Sequence, residues 1–413
     1  MSAVRYAVMV LLVHCAGCAE RHEAAPLPIQ PLGLDARPGS ALPNLVADDR
    51  GRVYLSWVEP SGGGTHAMKF SVLGESGWGS PRTIAYGADW FVNWADFPSM
   101  AALRDGTLAA HWLRKSGPAT YAYDVQIAFS PDQGTTWSEA VVPHTDATAT
   151  EHGFVSLAPW GEDRLFAVWL DGRHFEGLKG EAERHAAMTL HYGILRTNGA
   201  LEEEGEIDAR TCSCCQTAAA ALREEVLVAY RDRSEAEIRD VSTQRYAGGG
   251  WSGPASIRED GWRIDACPVN GPSIDVFNEQ VGIAWYTGAR DEPRVYLRFS
   301  GNGGRNYGSE IRVDDGRPIG RVDVELMPDG SGLVLWMEQA KAGSEIRLRR
   351  VLPDGRSAGH WTVTATRGDR ATGFPRMVLI ADLLVLAWTD VDSKGNKSVK
   401  TARVPVASLQ AAP

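Results

Sequence analysis

Apolar residues along this chain fall into short runs, each closed by an aromatic and followed by a polar, glycine-rich turn. One such run, Val53-Tyr54-Leu55-Ser56-Trp57, returns as Leu108-Ala109-Ala110-His111-Trp112 and again through the rest of the chain. The closing aromatics are Trp57, Trp112, Trp169, Tyr230, Trp285, Trp336 and Trp388, separated by 55, 57, 61, 55, 51 and 52 residues. Each copy holds further runs of strand length. One precedes the aromatic run, as in Leu42-Pro43-Asn44-Leu45-Val46-Ala47, and one follows it, as at 124–130 and 294–300. A fourth begins at Trp78, Trp137, Trp251, Tyr307 or Trp361. Four short strands repeated at this period predict a blade that cannot bury its own two faces and must stack on copies of itself. The expected fold is therefore all-β, a β-propeller of seven four-stranded antiparallel blades. Six blades, with the first copy as an irregular addition, is the alternative.

The last copy stops after its third strand, at 398–404, so the ring needs a closing strand from elsewhere. The segment from Leu27 to Leu34 is available for it. The expected organisation is a signal peptide at 1–18, a tether with a closing strand at 19–36, and a single propeller domain at 37–413. Composition fits this plan. The 413 residues include 14 tryptophans and 44 glycines, which suit many aromatic seals and many turns. A formal net charge of −10 argues against a general polyanion-binding surface, so no nucleic-acid partner is expected. No P-loop, dinucleotide fingerprint, His-Glu-x-x-His or Gly-x-Ser-x-Gly is present.

The N-terminus carries Arg5, an apolar run over 6–13, and Cys15-Ala16-Gly17-Cys18. The run is too short to span a membrane as a helix. The segment resembles a bacterial lipoprotein signal. That resemblance implies export, lipidation at Cys18, and a lipid anchor holding the protein to a membrane, facing the periplasm or the cell exterior.

Between the third and fourth strands of the second copy lies Ser130-Pro131-Asp132-Gln133-Gly134-Thr135-Thr136-Trp137. A variant, Ser300-Gly301-Asn302-Gly303-Gly304-Arg305-Asn306-Tyr307, occupies the same place in the fifth copy. These hairpins resemble the Asp-box, or BNR repeat, of the sialidase (neuraminidase) superfamily. The resemblance implies a propeller and an exo-acting glycoside hydrolase. It also implies an arginine triad for a carboxylate, a tyrosine nucleophile paired with a glutamate, and an aspartate acid/base. The Arg-Ile-Pro signature of that family is absent; Arg317-Pro318-Ile319 has the residues in another order and place.

In a propeller the loops leading into the inner strands, and those joining second to third strands, share one face. Those loops hold the candidate chemistry. Asp96, Glu151, Asp171, Asp265, Asp323 and Glu325 are the carboxylates that glycoside hydrolysis would draw on, and Tyr286 is the candidate nucleophile. Arg173, Arg231, Arg233, Arg239, Arg321 and Arg376 are the candidate binders of an anionic or polyhydroxylated glycan, because planar guanidiniums grip such groups bidentately. Arginine–aspartate clips between blades are the structural alternative for each. A non-catalytic glycan- or protein-binding lipoprotein is the alternative function.

Cys212, Cys214, Cys215 and Cys267 fall in lead-in loops of adjacent copies. Export favours disulfides, with one bridge from Cys267 to the 212–215 loop. A thiolate site for copper or zinc, joined by His152 or His174, is the competing reading; otherwise no cofactor is expected.

Overall fold

The computed structural model describes residues 25–182 and 186–409. The signal-type segment and Cys18 lie outside the described residues. Seven sheets follow one another along the chain, at 41–87, 99–130, 152–211, 218–256, 273–312, 318–366 and 376–405. They form the seven blades of an all-β propeller. The innermost strands are Ala41–Ala47, Ser99–Ala102, His152–Trp160, Ala218–Leu222, Ser273–Phe277, Pro318–Leu326 and Arg376–Ile380. The first and last of these are neighbours, which closes the ring.

The blades are not uniformly four-stranded, and the reasons are local. Blades one and four have five strands because the outermost is cut in two, Gly77–Trp78 from Arg82–Gly87 and Gly250–Trp251 from Ala255–Ser256. Pro81 and Pro254 stand at the cuts, where a missing N–H breaks the ladder. Blade two has three strands, and its outer segment joins the sheet through the Ile127–Val141 bridge, two residues before Pro143, and through the bonds between Ser138 and Phe129. Blade seven takes Gln30–Leu32 as its fourth strand, antiparallel to Lys397–Pro405. Blade six takes Ala25–Pro26 as a fifth, parallel to Ser357–Thr366.

The recurring aromatics are the seals between blades. Trp57, Trp169, Trp285 and Trp336 are fully buried. Burying an indole requires a partner for its N–H. Three copies solve this alike, with a carboxylate two residues on: Glu59 at 2.9 Å, Asp171 at 2.8 Å and Glu338 at 2.7 Å. Trp285 uses Asp260 instead, at 3.1 Å.

The Asp-box hairpins are built from short-range bonds. Asp132 accepts from Ser130 Oγ, Thr136 N and Thr136 Oγ1, and Ser130 Oγ accepts from Gly134 N at 2.6 Å. Asn302 repeats the scheme with Ser300 Oγ and Asn306 N, while Ser300 Oγ accepts from Gly304 N. The amide thus serves as well as the carboxylate in the turn. Gly134 has φ +80°, and a Cβ there would lie 2.2 Å from the Phe70 ring. Left-handed strain and forced repacking each cost about 1–3 kcal/mol. Gly134→Ala is therefore expected to lower unfolding stability by about 2–4 kcal/mol in denaturant titration.

A second device repeats where the chain enters an inner strand. Leu42, Phe154 and Arg321 have φ of 60°, 54° and 55°, each at a register shift against the second strand of its blade. The N–H freed by that bulge is taken by a neighbouring blade: Thr389 Oγ1 for Leu42, Asp96 Oδ1 for Phe154, Asn270 Oδ1 for Arg321. The bulge therefore fixes lead-in side chains at the mouth of the channel.

Candidate functional site

The inner strands enclose a cavity of about 250 Å³ on the ring axis. Asn44, Ser156 and Asp323 stand around it, each two residues beyond the bulge of its blade, together with Ser99, Ser273 and Arg376. Asp96 lies in its wall at the mouth. The cavity is smaller than the roughly 300–1,000 Å³ typical of drug-sized ligands, a size for a single ring rather than an extended chain.

Asp96 and Asn270 hold equivalent positions in blades two and five, and each caps the bulge N–H of the next blade, at 2.6 and 2.7 Å. Opposite them stand Gly153 and Gly320, where a Cβ would fall 2.1 Å from Asp96 Oδ2 and 2.2 Å from Asn270 Oδ1. A neutral amide does this structural work in blade five. The acidity at position 96 is therefore surplus to the fold.

That acidity is engaged elsewhere. Tyr123 Oη lies 2.9 Å from Asp96 Oδ2 and 2.7 Å from Glu151 Oε1. A phenol carries one proton, so it donates to one carboxylate and accepts from the other, which must then be protonated. Burial pushes Asp96 up to about 8, against the opposing Phe154 N–H, with the Glu151 charge adding to the rise. Burial likewise pushes Glu151 up to about 7. The two titrate as one unit around a buried tyrosine and hold a shared proton near neutral pH. A carboxylic acid kept protonated at neutral pH beside a cavity is the arrangement a general acid needs.

The other carboxylates are placed differently. Asp323 lines the cavity, where it accepts from Ser273 Oγ at 3.1 Å and Met377 N at 2.9 Å. Burial raises its pKa, partly offset by Arg376. Glu325, two residues on, accepts from Leu379 N, and burial holds its carboxyl well above the usual range. Both thus tie the inner strands of blades six and seven. Asp171 is fully buried, bound to the Trp169 indole and to Arg173 through two bonds of 2.9 and 2.7 Å. Asp265 is exposed beside the cysteine loop. Tyr286 is half-buried, edge-on to Trp262 at 5.6 Å.

Five of the six candidate arginines spend their donors inside the protein. Arg231 is 2% exposed and donates to the carbonyls of Asn270, Arg239 and Tyr286. Arg321 donates to Asp369 O, Thr372 Oγ1 and Gly373 O, with its guanidinium 4.7 Å from the Trp94 ring centre. Arg173 pairs with Asp171 and Glu204, and Arg233 and Arg239 share Glu237. Arg376 differs in lining the cavity. It lies over Phe97, 3.5 Å from Asp323, and its buried Nε, like that of Arg239, makes no hydrogen bond among the described residues.

The four cysteines meet at the boundary of blades four and five. Cys214 and Cys267 are bridged. Cys212 and Cys215 are buried free thiols with sulfurs 3.4 Å apart, and Cys212 Sγ lies 3.9 Å from Cys214 Sγ. The Cys215 hydrogen bond, helped by Arg239 at 3.3 Å and Arg231, brings Cys212 down to about 6. Burial pushes Cys215 up. His152 groups with Asp124, His144, Asp146 and Asp171 rather than with the sulfurs.

Tyr123 was not foreseen as a site residue, because it reads as an ordinary strand-edge aromatic. Its signal lies only in the third dimension, where it bridges two lead-in loops. His144, Asp146 and Asp124 were likewise missed, since the first two lie in an outer segment and not in a mouth loop.

No protein-family model matches this chain, and no curated protein matches it. Solved structures do resemble it. A protein of unknown function from Dyadobacter fermentans aligns at 13% identity over 91% of this chain and 98% of its own, with a TM-score of 0.51. The GH93 alpha-L-arabinofuranosidase of Fusarium graminearum, complexed with arabinobiose, aligns at 12% identity over 89% and 94%, TM-score 0.49. The NanB sialidase of Streptococcus pneumoniae aligns at 9% identity over 87% and 84%, TM-score 0.47. At these identities the likeness is one of fold, and a fold hosts many reactions.

Proposed function

We propose that this protein is an exported, membrane-anchored propeller that acts on a small anionic or polyhydroxylated glycan unit by acid–base chemistry at its mouth. The observation that carries this reading is Asp96 in the wall of the axial cavity, backed by Tyr123 and, through it, Glu151. Asp96 is the proton donor in this reading, and Tyr123 and Glu151 position and charge it. Asp323 is the second cavity carboxylate. Arg376, with a spare buried donor, anchors the ligand. Phe97 and Phe374 add apolar surface to the cavity wall.

A panel of glycosides and uronate-containing or acidic oligosaccharides, read out by product release, tests it. At least one member is expected to turn over, with Arg376→Gln raising KM about tenfold or more, the worth of a lost charged hydrogen bond. Binding without turnover across the panel would favour the non-catalytic alternative. Neither binding nor turnover would end the reading.

The cysteine cluster supports a second reading. The sulfurs of Cys212, Cys214 and Cys215 lie within 4.8 Å of one another, a donor set for a soft ion once the Cys214–Cys267 bridge is reduced. Elemental analysis of anaerobically purified protein, with Cys214→Ser as control, separates the two. Copper or zinc above the control level supports a thiolate site.

A further inference from the structure

Between blades two and three, away from the axial cavity, two imidazoles stack with ring centres 3.9 Å apart. They belong to His144 and His152, and both are almost wholly buried, with side chains 3% and 0% exposed. One carboxylate holds both from the same side. Asp146 receives His144 Nδ1 at 2.7 Å and His152 Nε2 at 3.2 Å. The two remaining ring nitrogens both approach one carboxylate oxygen, and His152 Nδ1 also donates to Tyr123 O at 3.3 Å. His144 Nε2 is 3.8 Å and His152 Nδ1 3.3 Å from Asp124 Oδ1. Neither His144 Nε2 nor Asp124 Oδ1 makes a hydrogen bond among the described residues, and both atoms are buried.

The proton count makes this arrangement unusual. Tyr123 O, 3.3 Å from His152 Nδ1, can only accept, so that nitrogen carries a proton, as does Nε2 facing Asp146. A neutral His144 that donates to Asp146 presents a bare lone pair at Nε2, and it faces Asp124 Oδ1, a second unpartnered acceptor, in a buried space. Protonating His144 as well would stack two like charges at 3.9 Å. A cation that displaces the His152 Nδ1 proton satisfies both acceptors.

We propose that Asp124 Oδ1, His144 Nε2 and His152 Nδ1 form a binding site for a divalent first-row transition ion of the zinc type. The three atoms lie within 4.8 Å of one another. Bonds of about 2.0–2.2 Å to one ion set neighbouring ligands roughly 3–3.5 Å apart, so His144 Nε2 and Asp124 Oδ1 must draw in from 3.8 Å and the two rings, stacked within 11°, must splay to aim both lone pairs at the ion. Two imidazoles and one carboxylate are a borderline donor set, which disfavours calcium and magnesium. Asp146 is the outer partner that fixes both tautomers, the usual support for metal-bound histidine. The Asp124 side chain is 24% exposed while its Oδ1 is buried, so the site lies one carboxylate in from solvent.

The other side of His152 does not compete. Its Nε2 also lies 3.7 Å from Asp171, but Asp171 and Asp146 face the Arg173 guanidinium at 2.7 and 3.6 Å, and Glu204 balances Arg173 at 2.9 Å. That face meets the ring only through Nε2, which donates to Asp146 and is not one of the three inner atoms.

The test uses the full mature chain, stripped with chelator and titrated with Zn²⁺ by calorimetry and with Co²⁺ by visible absorption. One ion per chain is expected, with the weak, sulfur-free d–d bands of nitrogen and oxygen ligation. Asp124→Asn and His144→Gln should weaken binding about 100-fold or more, and Asp146→Asn about 10–100-fold. Cys212→Ser and Cys215→Ser should leave it unchanged, which separates this site from the thiolate reading. If a histidine variant fails to fold, ¹⁵N shifts of the His144 and His152 rings during Zn²⁺ titration of the wild type decide instead. No stoichiometric binding, binding of Ca²⁺ in preference to Zn²⁺, or a Co²⁺ spectrum with sulfur charge-transfer bands lost in Cys212→Ser would each overturn the proposal.

Discussion

Asp96→Asn is expected to fold and to lose about 10²–10⁴-fold in turnover on any glycan substrate, the range for removing a general acid. Folding should survive because Asn270 already makes the same cap in blade five, accepting the bulge N–H at 2.7 Å against 2.6 Å while its Nδ2 donates to the carbonyls of Pro268 and Ile319. An amide at 96 keeps that bond but holds no transferable proton. A stability signature accompanies the kinetic one. In the unfolded chain both carboxyls ionise near pH 4. In the folded protein burial holds their proton until about 7 for Glu151 and about 8 for Asp96. The folded state therefore binds more protons in that window, so this pair's contribution to stability is full below about pH 4 and falls as pH rises towards 8. The slope is at most about 1.4 kcal/mol per pH unit per group. Asp96→Asn should flatten it, measured by denaturant unfolding at a series of pH values. Turnover within twofold of wild type would remove Asp96 from the chemistry.

Removing residues 25–34 is expected to be the most destabilising single change to the scaffold. The segment pairs with two blades. Gln30, Pro31 and Leu32 lie against Arg403, Ala402 and Thr401, while Ala25 and Pro26 lie against Trp361 and Thr362. Leu27, 5% exposed, sits in one cluster with Leu348, Trp361, Leu386 and Val404. Without it, blade seven has a bare outer edge of unpaired N–H and C=O groups. Leu27→Ala alone should cost about 2–5 kcal/mol. Truncation to residue 35 should cost more than that, and unfolding should begin at the boundary of blades six and seven. Hydrogen exchange should show it first in Ser357–Thr366 and Lys397–Pro405. An unchanged Tm in the truncated chain would mean that the ring closes by other contacts.

The ring was legible in the sequence because a propeller repeats one physical problem. Each blade must be sealed, and a large aromatic at the end of the second strand does so in every copy. The irregular strand counts were less legible. They depend on Pro81, Pro143 and Pro254, single residues whose effect is confined to an outer strand. The same repetition explains why several candidate site residues turned out to carry structural bonds. Asp171 follows Trp169 by two residues, as Glu59 follows Trp57 and Glu338 follows Trp336, and it makes the same indole bond. Arg231 and Arg321 satisfy main-chain carbonyls at blade boundaries. Composition marks such arginines as polar, and only their surroundings reveal what they bind.

The candidate site was legible in part. Asp96 and Arg376 stand in lead-in loops and do reach the cavity. The partner that matters most to Asp96 did not announce itself, because Tyr123 belongs to the third strand of its own blade. The cysteine loop illustrates the same limit. A bridge from Cys267 to the 212–215 loop was expected, and Cys214 is the residue that makes it. The two remaining thiols are then Cys212 and Cys215, a pair that spacing alone did not single out.

The most direct measurement is a carboxyl titration by ¹³C NMR, on protein labelled at aspartate and glutamate side chains and assigned with Asp96→Asn and Glu151→Gln. The account predicts that the Asp96 and Glu151 resonances move together, with a proton leaving between about pH 7 and about pH 8. Two independent transitions in the ordinary range near pH 4 would contradict it.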